Sequence, residues 1–453
     1  MRRRQLLLVA PLISLFFIAG SLYFGRDRLR QLPRPAFLTQ HEHEHEKQPQ
    51  EPVDEPTEAP TRDGQSPRPP AASELLRDNI LIALYYTGPI LPEAKVTAYL
   101  DAILARKPTS LASFHCPVID IARYESLKTA DTSDPSIRYF FALNLRQNLP
   151  LLPRLIGSIV EVIRFLGPQH CAVSIAEGNS PDGTGDVLAA LRPSLEALGI
   201  TYSLQSSPID PSEGDRIVRL AELRNMALQP LLHLSGRANK DTTIIFLNDV
   251  AACPDDILEL AFQRRNLGAD MTCAMDWSHI ARDPTFYDVW ISRGINGDSF
   301  FEIPLDGSWD LAGNLFWNAD QTRELFSKHR PFQVFSCWNG AVTFSAQPIL
   351  ENLRFRAANE EAGECFQGEP QLLCKDMWFR GYGKIAVVPT VNLEYSVDHG
   401  KKIKEVKGFA SDLVAQQNVS DDRIEWQLDP PDRVKCMPSW TNQFWQPWNA
   451  TLT

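Results

Sequence analysis

From about residue 75 onward, short apolar runs alternate with amphipathic stretches, and this alternation restricts the possible fold most. The predicted strands are 80–86, 138–145, 171–176, 201–204 and 242–247, and the predicted helices are 152–166, 186–198 and 216–233. Strands separated by helices favour an α/β fold with a doubly wound, mostly parallel sheet. Such sheets bind ligands beyond the carboxyl ends of their strands, so we expect functional side chains there.

An uncharged run of 19 residues occupies positions 6–24. As a helix it rises about 28 Å, close to the ~30 Å hydrocarbon core of a bilayer. The alternative is a cleaved signal peptide, but the apolar part of such peptides is usually about 7–15 residues long. Arginines flank both ends and do not decide the orientation. Because residues 1–5 form only a short tail, we expect a single N-terminal transmembrane helix in type II orientation.

Residues 25–74 form a composition break rich in Pro, Glu, Gln and Thr, with the tract HEHEHE at 41–46. Such a segment cannot bury enough apolar surface to fold. The tract is interpreted either as a metal-capturing sequence or, preferably, as part of a solvated stem. We therefore expect the stem to hold a folded domain away from the membrane.

Charge and cysteine content narrow the class of protein. The first 30 residues contribute +5 to a net charge of −11, so residues 31–453 carry −16, which excludes a nucleic-acid-binding surface. The eight cysteines include no CxxC pair, which disfavours a zinc site. Their even number favours some disulfides in the secretory lumen, without fixing the pairing, and buried free thiols remain the alternative. Asn418 and Asn449 begin predicted glycosylation sequons.

Polar residues that could bind a ligand follow the predicted strand 171–176 and also lie in the predicted helix 216–233. The segment EGNSPDGTGD contains Glu177 and Asp182, and helix 216–233 carries Arg224 and Asn225. Acidic and small residues at a strand-to-helix turn suit hydrogen bonding to a nucleotide, although ordinary turns use the same residues. Helix-surface charges are commonly only solvated. The order of these residues along the chain, more than any one of them, predicts a nucleotide-binding site.

Asn248 and Asp249 directly follow the predicted strand 242–247. A carboxylate at the end of a buried strand is costly unless it is paired or metal-bound, and a divalent cation bridging a diphosphate is a natural occupant. The alternative is a cap for the helix that Pro254 opens, but Asp249 lies too early and Asp255 suits that role better. We therefore predict a metal-binding role for Asp249.

This order of elements resembles the GT-A fold of nucleotide-sugar glycosyltransferases, although Asn248-Asp249-Val250 departs from the D-x-D motif of that fold. Five longer motifs lie downstream: FLNDVAACPDDILEL, ADMTCAMDW, FYDVWISRGINGDSF, CWNG and GEPQLLCKDMWFRGYGKIAVVPTVNLEYS. These motifs make the resemblance closer, and residues 80–400 are similar to the fungal family of cryptococcal α-1,3-mannosyltransferase and capsule-associated proteins.

The resemblance implies a Golgi membrane enzyme that transfers mannose from GDP-mannose to a mannose-containing glycan with a divalent metal, Mn²⁺ or alternatively Mg²⁺. It further implies a nucleotide-sugar half at 75–270, an acceptor half at 271–400 and a C-terminal extension at 401–453. Another nucleotide-sugar donor and a non-catalytic role in polysaccharide assembly are the alternatives. His399 lies where such enzymes often have a late histidine as a metal ligand.

The acceptor half contains three candidate carboxylates, Asp276, Asp288 and Asp376, and Arg293 as a candidate phosphate ligand. All ten tryptophans follow residue 276, and indole faces offer sugars an apolar platform, although core packing explains most tryptophans. Asp376 lies in the LLCKDMW helix beside Glu369, where GT-A enzymes often place an acidic residue facing the acceptor. We expect the three aspartates to contact the acceptor and to act in catalysis.

Overall fold

The computed structural model describes residues 90–105, 111, 114–129, 134–234, 236–279, 284–418 and 422–452. All of these residues belong to one compact unit of the chain, residues 71–453. The predicted tail, anchor and stem, and the predicted strand 80–86, lie outside the described residues. No helix within the described ranges combines the length and the apolar character needed to cross a bilayer.

Strands and helices alternate along this unit. The helices are α1 (Glu93–Leu104), α2 (Ile121–Tyr124), α3 (Leu152–Leu166), α4 (Thr184–Ala197), α5 (Arg216–His233), α6 (Pro254–Asn266), α7 (Asp320–Ser327), α8 (Gln347–Leu350), α9 (Glu369–Phe379), α10 (Val397–Lys407) and α11 (Ala410–Val414). The strands are β1 (Tyr139–Leu145), β2 (Cys171–Glu177), β3 (Thr201–Ser206), β4 (Thr243–Leu247), β5 (Met271–Ser278), β6 (Thr285–Phe286), β7 (Arg293–Gly294), β8 (Phe332–Ser336), β9 (Ala341–Ser345), β10 (Ile385–Leu393), β11 (Arg433–Cys436) and β12 (Phe444–Pro447).

One central sheet organises the described chain, in the order β3-β2-β1-β4-β9-β5-β10-β8-β7, with β6 paired to β5. The four strands β3, β2, β1 and β4 are parallel to one another. β9 is antiparallel to both β4 and β5, and β10 is parallel to β5. The carboxyl ends of β1, β4, β5 and β10 therefore meet at one edge. The predicted mixed α/β architecture with a mostly parallel sheet is confirmed.

Each face of the sheet is covered by its own hydrophobic cluster. Alternate residues of β1 point to opposite faces, with Phe141 and Leu143 in one cluster and Phe140 and Ala142 in the other. The first cluster joins α1, α3, α4 and α6, and the second joins α5, α9 and the segment 286–355. This double coverage explains why the strands are continuous apolar runs rather than alternating polar and apolar residues.

The local patterns predicted two helices to the residue, α3 and α5. The predicted strands 171–176 and 242–247 correspond to β2 and β4 within one residue at either end. Amphipathic spacing and β-branched runs are local properties, so they fix such elements without knowledge of the tertiary fold.

The predicted boundary at residue 270 does not separate two sheets, because β9 pairs with both β4 and β5. The C-terminal residues 433–447 form a hairpin of β11 and β12. Val434 and Met437 belong to the second hydrophobic cluster, and Cys436 forms a disulfide with Cys365. The predicted acceptor half and C-terminal extension thus share one core.

Candidate functional site

The candidate site is built from residues at the carboxyl ends of parallel strands. Asn248 and Asp249 follow β4, Asp276 lies near the end of β5, and Glu394 follows β10. In the β5–β10 register Leu393 pairs with Asp276, so residues after both strands lie side by side. This edge is where an open α/β sheet presents its ligand site.

Arg224 is the cationic centre of this edge. Its side chain is nearly buried, its Nε donates to Glu369 Oε1 at 2.7 Å, and its Nη1 donates to Asn248 Oδ1 at 3.3 Å. The guanidinium lies 4.5 Å from the ring centroid of Trp338, whose Nε1 also donates to Asn248 Oδ1. A cation held over an indole face is stabilised by the ring quadrupole. The structure brings the predicted pair Arg224 and Asn248 together.

Asp249 is half-buried next to this group, and its Oδ2 accepts a hydrogen bond from Asn148 Nδ2 at 3.1 Å. Burial raises the pKa of its carboxyl group, against the opposing effect of that hydrogen bond. Among the described residues Asp249 forms no ion pair with a lysine, arginine or histidine. A partly desolvated carboxylate without a cationic side-chain partner fits a metal ligand.

Asp276 is buried and Asp288 is half-buried, and the two residues are joined by a hydrogen bond. Asp276 Oδ2 accepts from the hydroxyl of Tyr395 at 2.5 Å, and Asp276 Oδ1 accepts from the backbone N–H of Asp288 at 3.3 Å. Asp288 Oδ2 accepts from the backbone N–H of Asn339 at 2.9 Å. Burial raises the pKa of Asp276 well above its ordinary value, with the Asp288 charge adding to the effect.

Burial also raises the pKa of Asp288, to about 6. Tyr395, which donates to Asp276, has a phenol pKa raised well above its usual range by burial and by these two carboxyl groups. Burial and the neighbouring carboxyl group both disfavour the ionised form, so these groups keep a proton to higher pH than exposed aspartates do. The pair is therefore suited to accepting or releasing a proton.

The two predicted donor-loop acids organise their own loop. Glu177 is buried and accepts the backbone N–H groups of Asn179 and Ser180 at 3.0 and 2.8 Å. Asp182 accepts from Thr184 N at 2.9 Å and from Leu149 N at 3.0 Å. These bonds hold the β2–α4 loop against the loop after β1. Glu177 and Asp182 thus fix the conformation of this loop, and their predicted contact with a nucleotide stays a prediction.

Asn225 and Arg293, both predicted to bind the donor, use their polar atoms inside the protein. Asn225 exchanges two hydrogen bonds with the backbone of Phe355, at 2.9 and 3.0 Å. Arg293 is completely buried and donates to the carbonyl groups of Lys435, Val289, Trp290 and Ser292. Burial lowers the pKa of Arg293 to about 10. Both side chains are held by contacts within the protein, and their predicted contacts with the donor stay predictions.

Asp376 lies in α9 and forms a two-pronged ion pair with Arg356, at 2.7 and 2.8 Å. Arg356 also bonds Glu364, which Lys375 contacts at 2.5 Å from the other side. The Arg356 and Lys375 charges and hydrogen bonds lower the pKa of Glu364 to about 2, against the opposing effect of burial. Both oxygens of Asp376 are thus engaged in fixing segment 356–364, and its predicted contact with the acceptor stays a prediction.

His399 lies in the first turn of α10, with its Nδ1 3.3 Å from Glu394 Oε1. Its ring stacks beside that of His279, at a centroid distance of 4.6 Å. Among the described residues, the structure groups His399 with Glu394 and His279 rather than with Asp249. Glu394 and His279 were not predicted from the sequence, although each directly follows a buried strand, as Asn248 does.

Three of the six tryptophans at 271–400 are buried, and the other three are half-buried. Trp378 stacks on Phe335, and Trp277 and Trp338 are buried. Core packing therefore accounts for these rings, with Trp338 also bordering the Arg224 group. Both predicted glycosylation sites, Asn418 and Asn449, are exposed, which is a precondition for modification and leaves the prediction open.

A cavity of about 420 Å³ runs along α5 toward Gln205 and Arg354. Asn225 borders it, but Asp249, Asp276 and Asp288 do not. We locate the site by its side-chain chemistry, since ionisable groups with shifted pKa values at a strand edge indicate function more directly than volume alone.

Comparison with known proteins gives the family. Residues 138–376 match the family model described as Cryptococcal mannosyltransferase 1. The chain is 39% identical over 342 residues to the alpha-1,3-mannosyltransferase CMT1 of Cryptococcus neoformans var. neoformans serotype D, covering 69% of this chain and 72% of the relative. The matched region contains the Arg224 group and the Asp276–Asp288 pair.

Solved structures give only distant similarities. The mannosyltransferase PcManGT from Pyrobaculum calidifontis, in complex with GDP-Man and Mn²⁺, is 11% identical with a TM-score of 0.34, covering 66% of each chain. The S. aureus TarS 1–349 structure is 9% identical with a TM-score of 0.34, covering 63% of this chain and 68% of that one. At these TM-scores neither resemblance bears on the assignments that follow. The family match and the curated relative do, and this chain belongs to the cryptococcal mannosyltransferase family, as a glycosyltransferase homologous to an α-1,3-mannosyltransferase.

Proposed function

We propose that the protein transfers mannose from GDP-mannose to a mannose-containing glycan in α-1,3 linkage, as a GT-A-like enzyme. The observation that carries the proposal is the 39% identity to an α-1,3-mannosyltransferase over 342 residues. The carboxyl groups and Arg224 gathered at one sheet edge give that identity a chemical basis. We propose no nucleic-acid partner, because residues 31–453 carry a net charge of −16, which repels a phosphate backbone.

The donor part of the proposed site consists of Arg224, Asn248 and Asp249. Arg224 donates hydrogen bonds to Asn248 and Glu369, which hold its guanidinium in one orientation. The remaining N–H groups of the guanidinium are left to donate to a phosphate. His399, the other predicted metal ligand, is grouped with His279 and Glu394. Asp249 is the proposed ligand of a divalent cation, Mn²⁺ or alternatively Mg²⁺, at the donor site. Such a cation supplies electrostatic stabilisation of the leaving diphosphate.

The acceptor part of the proposed site is the Asp276–Asp288 pair with Tyr395. Burial raises the pKa values of both carboxyl groups, which favours the protonated form of this group. A sugar hydroxyl next to the pair can exchange hydrogen bonds with a carboxyl group in either protonation state. We propose that the pair positions the acceptor hydroxyl and accommodates its proton during transfer.

The direct test is a transfer assay with the full-length chain purified in detergent. GDP-mannose, GDP-fucose, UDP-glucose and UDP-xylose are each offered with an α-mannoside acceptor and Mn²⁺, and the linkage of the product is determined by NMR. We expect transfer from GDP-mannose and a 1,3-linked α-mannoside. Transfer from a UDP-sugar alone would replace the proposed donor. Absence of transfer and of nucleotide binding would favour the non-catalytic role in polysaccharide assembly.

We also propose that the protein is a single-pass type II Golgi membrane protein with residues after about 31 in the lumen. The uncharged run at 6–24 supports this placement. Three disulfides, Cys116–Cys253, Cys273–Cys337 and Cys365–Cys436, also support it. Disulfides persist in the oxidising secretory lumen and are rare in the cytosol.

A further inference from the structure

Three side chains from two strand ends and one helix converge on one point of the sheet edge. His279 follows β5, Glu394 follows β10, and His399 lies in the first turn of α10. One ligand atom from each residue lies within 4.8 Å of the ligand atoms of the other two. The separations from Glu394 Oε1 are 3.3 Å to His399 and 4.0 Å to His279.

These separations match a coordination sphere. Nitrogen and carboxylate ligands lie about 2.0–2.2 Å from a bound transition metal, so two ligands of one ion are roughly 3.0–3.4 Å apart when adjacent and about 4.2 Å apart when opposite. The His399–Glu394 separation falls in the first range and the His279–Glu394 separation near the second. Small side-chain rotations bring all three atoms to bonding distance of one ion.

An ion pair alone does not account for the group. Glu394 Oε1 lies within hydrogen-bond reach of His399, but His279 Nδ1 is 4.0 Å away, beyond a hydrogen bond. Among the described residues, this buried Nδ1 atom has no hydrogen-bond partner. A buried polar atom without a partner is costly. A metal ion would satisfy His279 Nδ1 and the shared carboxylate oxygen together.

The surrounding bonds hold the three ligands in place. Glu394 Oε2 accepts from the backbone N–H of Ser396 at 2.8 Å, which leaves Oε1 facing the imidazoles. The Ser396 hydroxyl caps α10 by accepting from His399 N at 3.2 Å. The backbone carbonyl of Glu394 accepts from Ala251 N at 2.8 Å, which joins this group to the loop carrying Asp249. Ligands fixed by such secondary contacts lose little freedom on binding a metal.

We propose that His279, Glu394 and His399 form a binding site for a divalent transition-metal cation. Two imidazoles and one carboxylate favour ions such as Mn²⁺ and Zn²⁺, whereas Mg²⁺ and Ca²⁺ prefer oxygen ligands. The site adds His279 and Glu394 as ligands to the predicted His399. A role for this cation in sugar transfer rests on the proposed function. Binding of the cation by the three residues is independent of that function.

Metal binding is measured directly on the full-length chain in detergent. The HEHEHE tract also contains imidazoles, so all proteins carry alanine at positions 41, 43 and 45. Mn²⁺ is titrated at low micromolar concentration, and free Mn²⁺ is followed by its EPR signal. We expect one bound Mn²⁺ per chain, an affinity at least tenfold lower in His279→Ala, Glu394→Gln and His399→Ala, and little competition from equimolar Mg²⁺.

The matched control is His233→Ala, which removes an exposed histidine at the end of α5 and should leave Mn²⁺ affinity unchanged. His399 has a side chain that is 43% exposed, so its replacement disturbs folding least and keeps the test decisive if another variant fails to fold. Equal Mn²⁺ affinity in His399→Ala and the parent would overturn the site. Mn²⁺ binding that depends on these residues, without transfer from GDP-mannose, would instead reject the proposed function and leave the site standing.

Discussion

The candidate aspartates differ in their hydrogen-bond and ion-pair partners, and these partners indicate different roles. Asp249 has one amide partner and no ion pair among the described residues, whereas Asp376 has both oxygens on one guanidinium. Asp276 accepts hydrogen bonds from the Asp288 backbone N–H and from the Tyr395 hydroxyl. A group with free coordination capacity can meet a ligand, and a group already satisfied by the protein mainly fixes structure.

Asp249→Asn tests the metal and diphosphate role. The amide is nearly isosteric, and its oxygen can still accept from Asn148, so the fold should persist. Loss of the negative charge weakens binding of the cation and diphosphate. We expect the transfer rate at saturating Mn²⁺ to fall at least 100-fold, about 2.7 kcal/mol of transition-state stabilisation, with an unchanged melting temperature. Near-parental turnover would remove Asp249 from the reactive centre.

Asp276→Asn tests the raised pKa of the buried Asp276 carboxyl group by its effect on the free energy of unfolding. The folded-state pKa of Asp276 is raised, so the folded protein keeps a proton that the unfolded chain releases above about pH 4. The free energy of unfolding therefore falls as pH rises above that value, by at most about 1.4 kcal/mol per pH unit for one group. Asparagine does not titrate, so the variant should gain stability relative to the parent between pH 5 and pH 7.

Denaturant unfolding at pH 5, 6 and 7 measures this difference, with the exposed Asp310→Asn as the control. The control should show no trend with pH. A parent–variant difference in the free energy of unfolding that is constant over this range would mean that Asp276 titrates normally. It would also withdraw the proton-holding role of the pair.

Among the elements, α9 and the segment before it act as one assembly. Glu369 at the start of α9 fixes Arg224, and Asp376 one helix turn from its end fixes Arg356. Arg356 in turn holds Glu364, next to the disulfide of Cys365. Ionic contacts at both ends of one helix thus tie the donor group to segment 356–364.

Asp376→Asn and Arg356→Met together test how α9 contributes. Each breaks a largely buried ion pair and leaves one partner behind; because the Arg356 side chain is 32% exposed, we expect a loss of roughly 2 kcal/mol of stability, below that of a fully buried pair. Transfer per folded molecule should fall at least tenfold in both variants, with GDP affinity retained. Normal transfer in Arg356→Met, with loss only in Asp376→Asn, would instead show that the Asp376 carboxylate contacts the acceptor itself.

At the scale of the whole molecule, the disulfides connect distant parts of residues 71–453. Cys116–Cys253 joins the segment before β1 to the start of α6, Cys273–Cys337 joins β5 to the segment before β9, and Cys365–Cys436 joins the segment before α9 to β11. Cys171 and Cys374 are buried and free, and burial raises the pKa of the Cys171 thiol. Cross-links over long loops restrict the unfolded chain most.

Peptide mapping checks this pairing. Non-reducing digestion after alkylation in denaturant should give the three disulfide-linked peptide pairs, with alkylated Cys171 and Cys374 only. Without denaturant neither thiol should react, because both are buried. Any other linkage, or alkylation of a third cysteine, would contradict the arrangement.

Protease protection in intact microsomes checks the membrane orientation. The type II assignment requires the C-terminal domain to be lumenal, so protease should remove at most the short tail at residues 1–5 until detergent is added. Glycosidase sensitivity at Asn418 or Asn449 is the companion measurement, because only lumenal sequons are modified. Digestion of the domain in sealed microsomes would reverse the proposed orientation.

The sequence by itself determined several helices and strands and the positions of candidate functional residues along the chain. α3, α5, β2 and β4 follow from local apolar spacing, and Asp249 stands out because a carboxylate ends a buried strand. The sequence also carried the family motifs, which depend only on the order of residues.

The tertiary structure decided which of the polar residues are left for a ligand. Arg293 looked available in the sequence, but the fold surrounds it with backbone carbonyls, and Asp376 is taken by Arg356. His279 and His399 are 120 positions apart, and only the β5–β10 register brings them together at Glu394. Pairing across a sheet depends on the alignment of whole strands and not on neighbouring residues, so neither that group nor the disulfides could be assigned from the sequence.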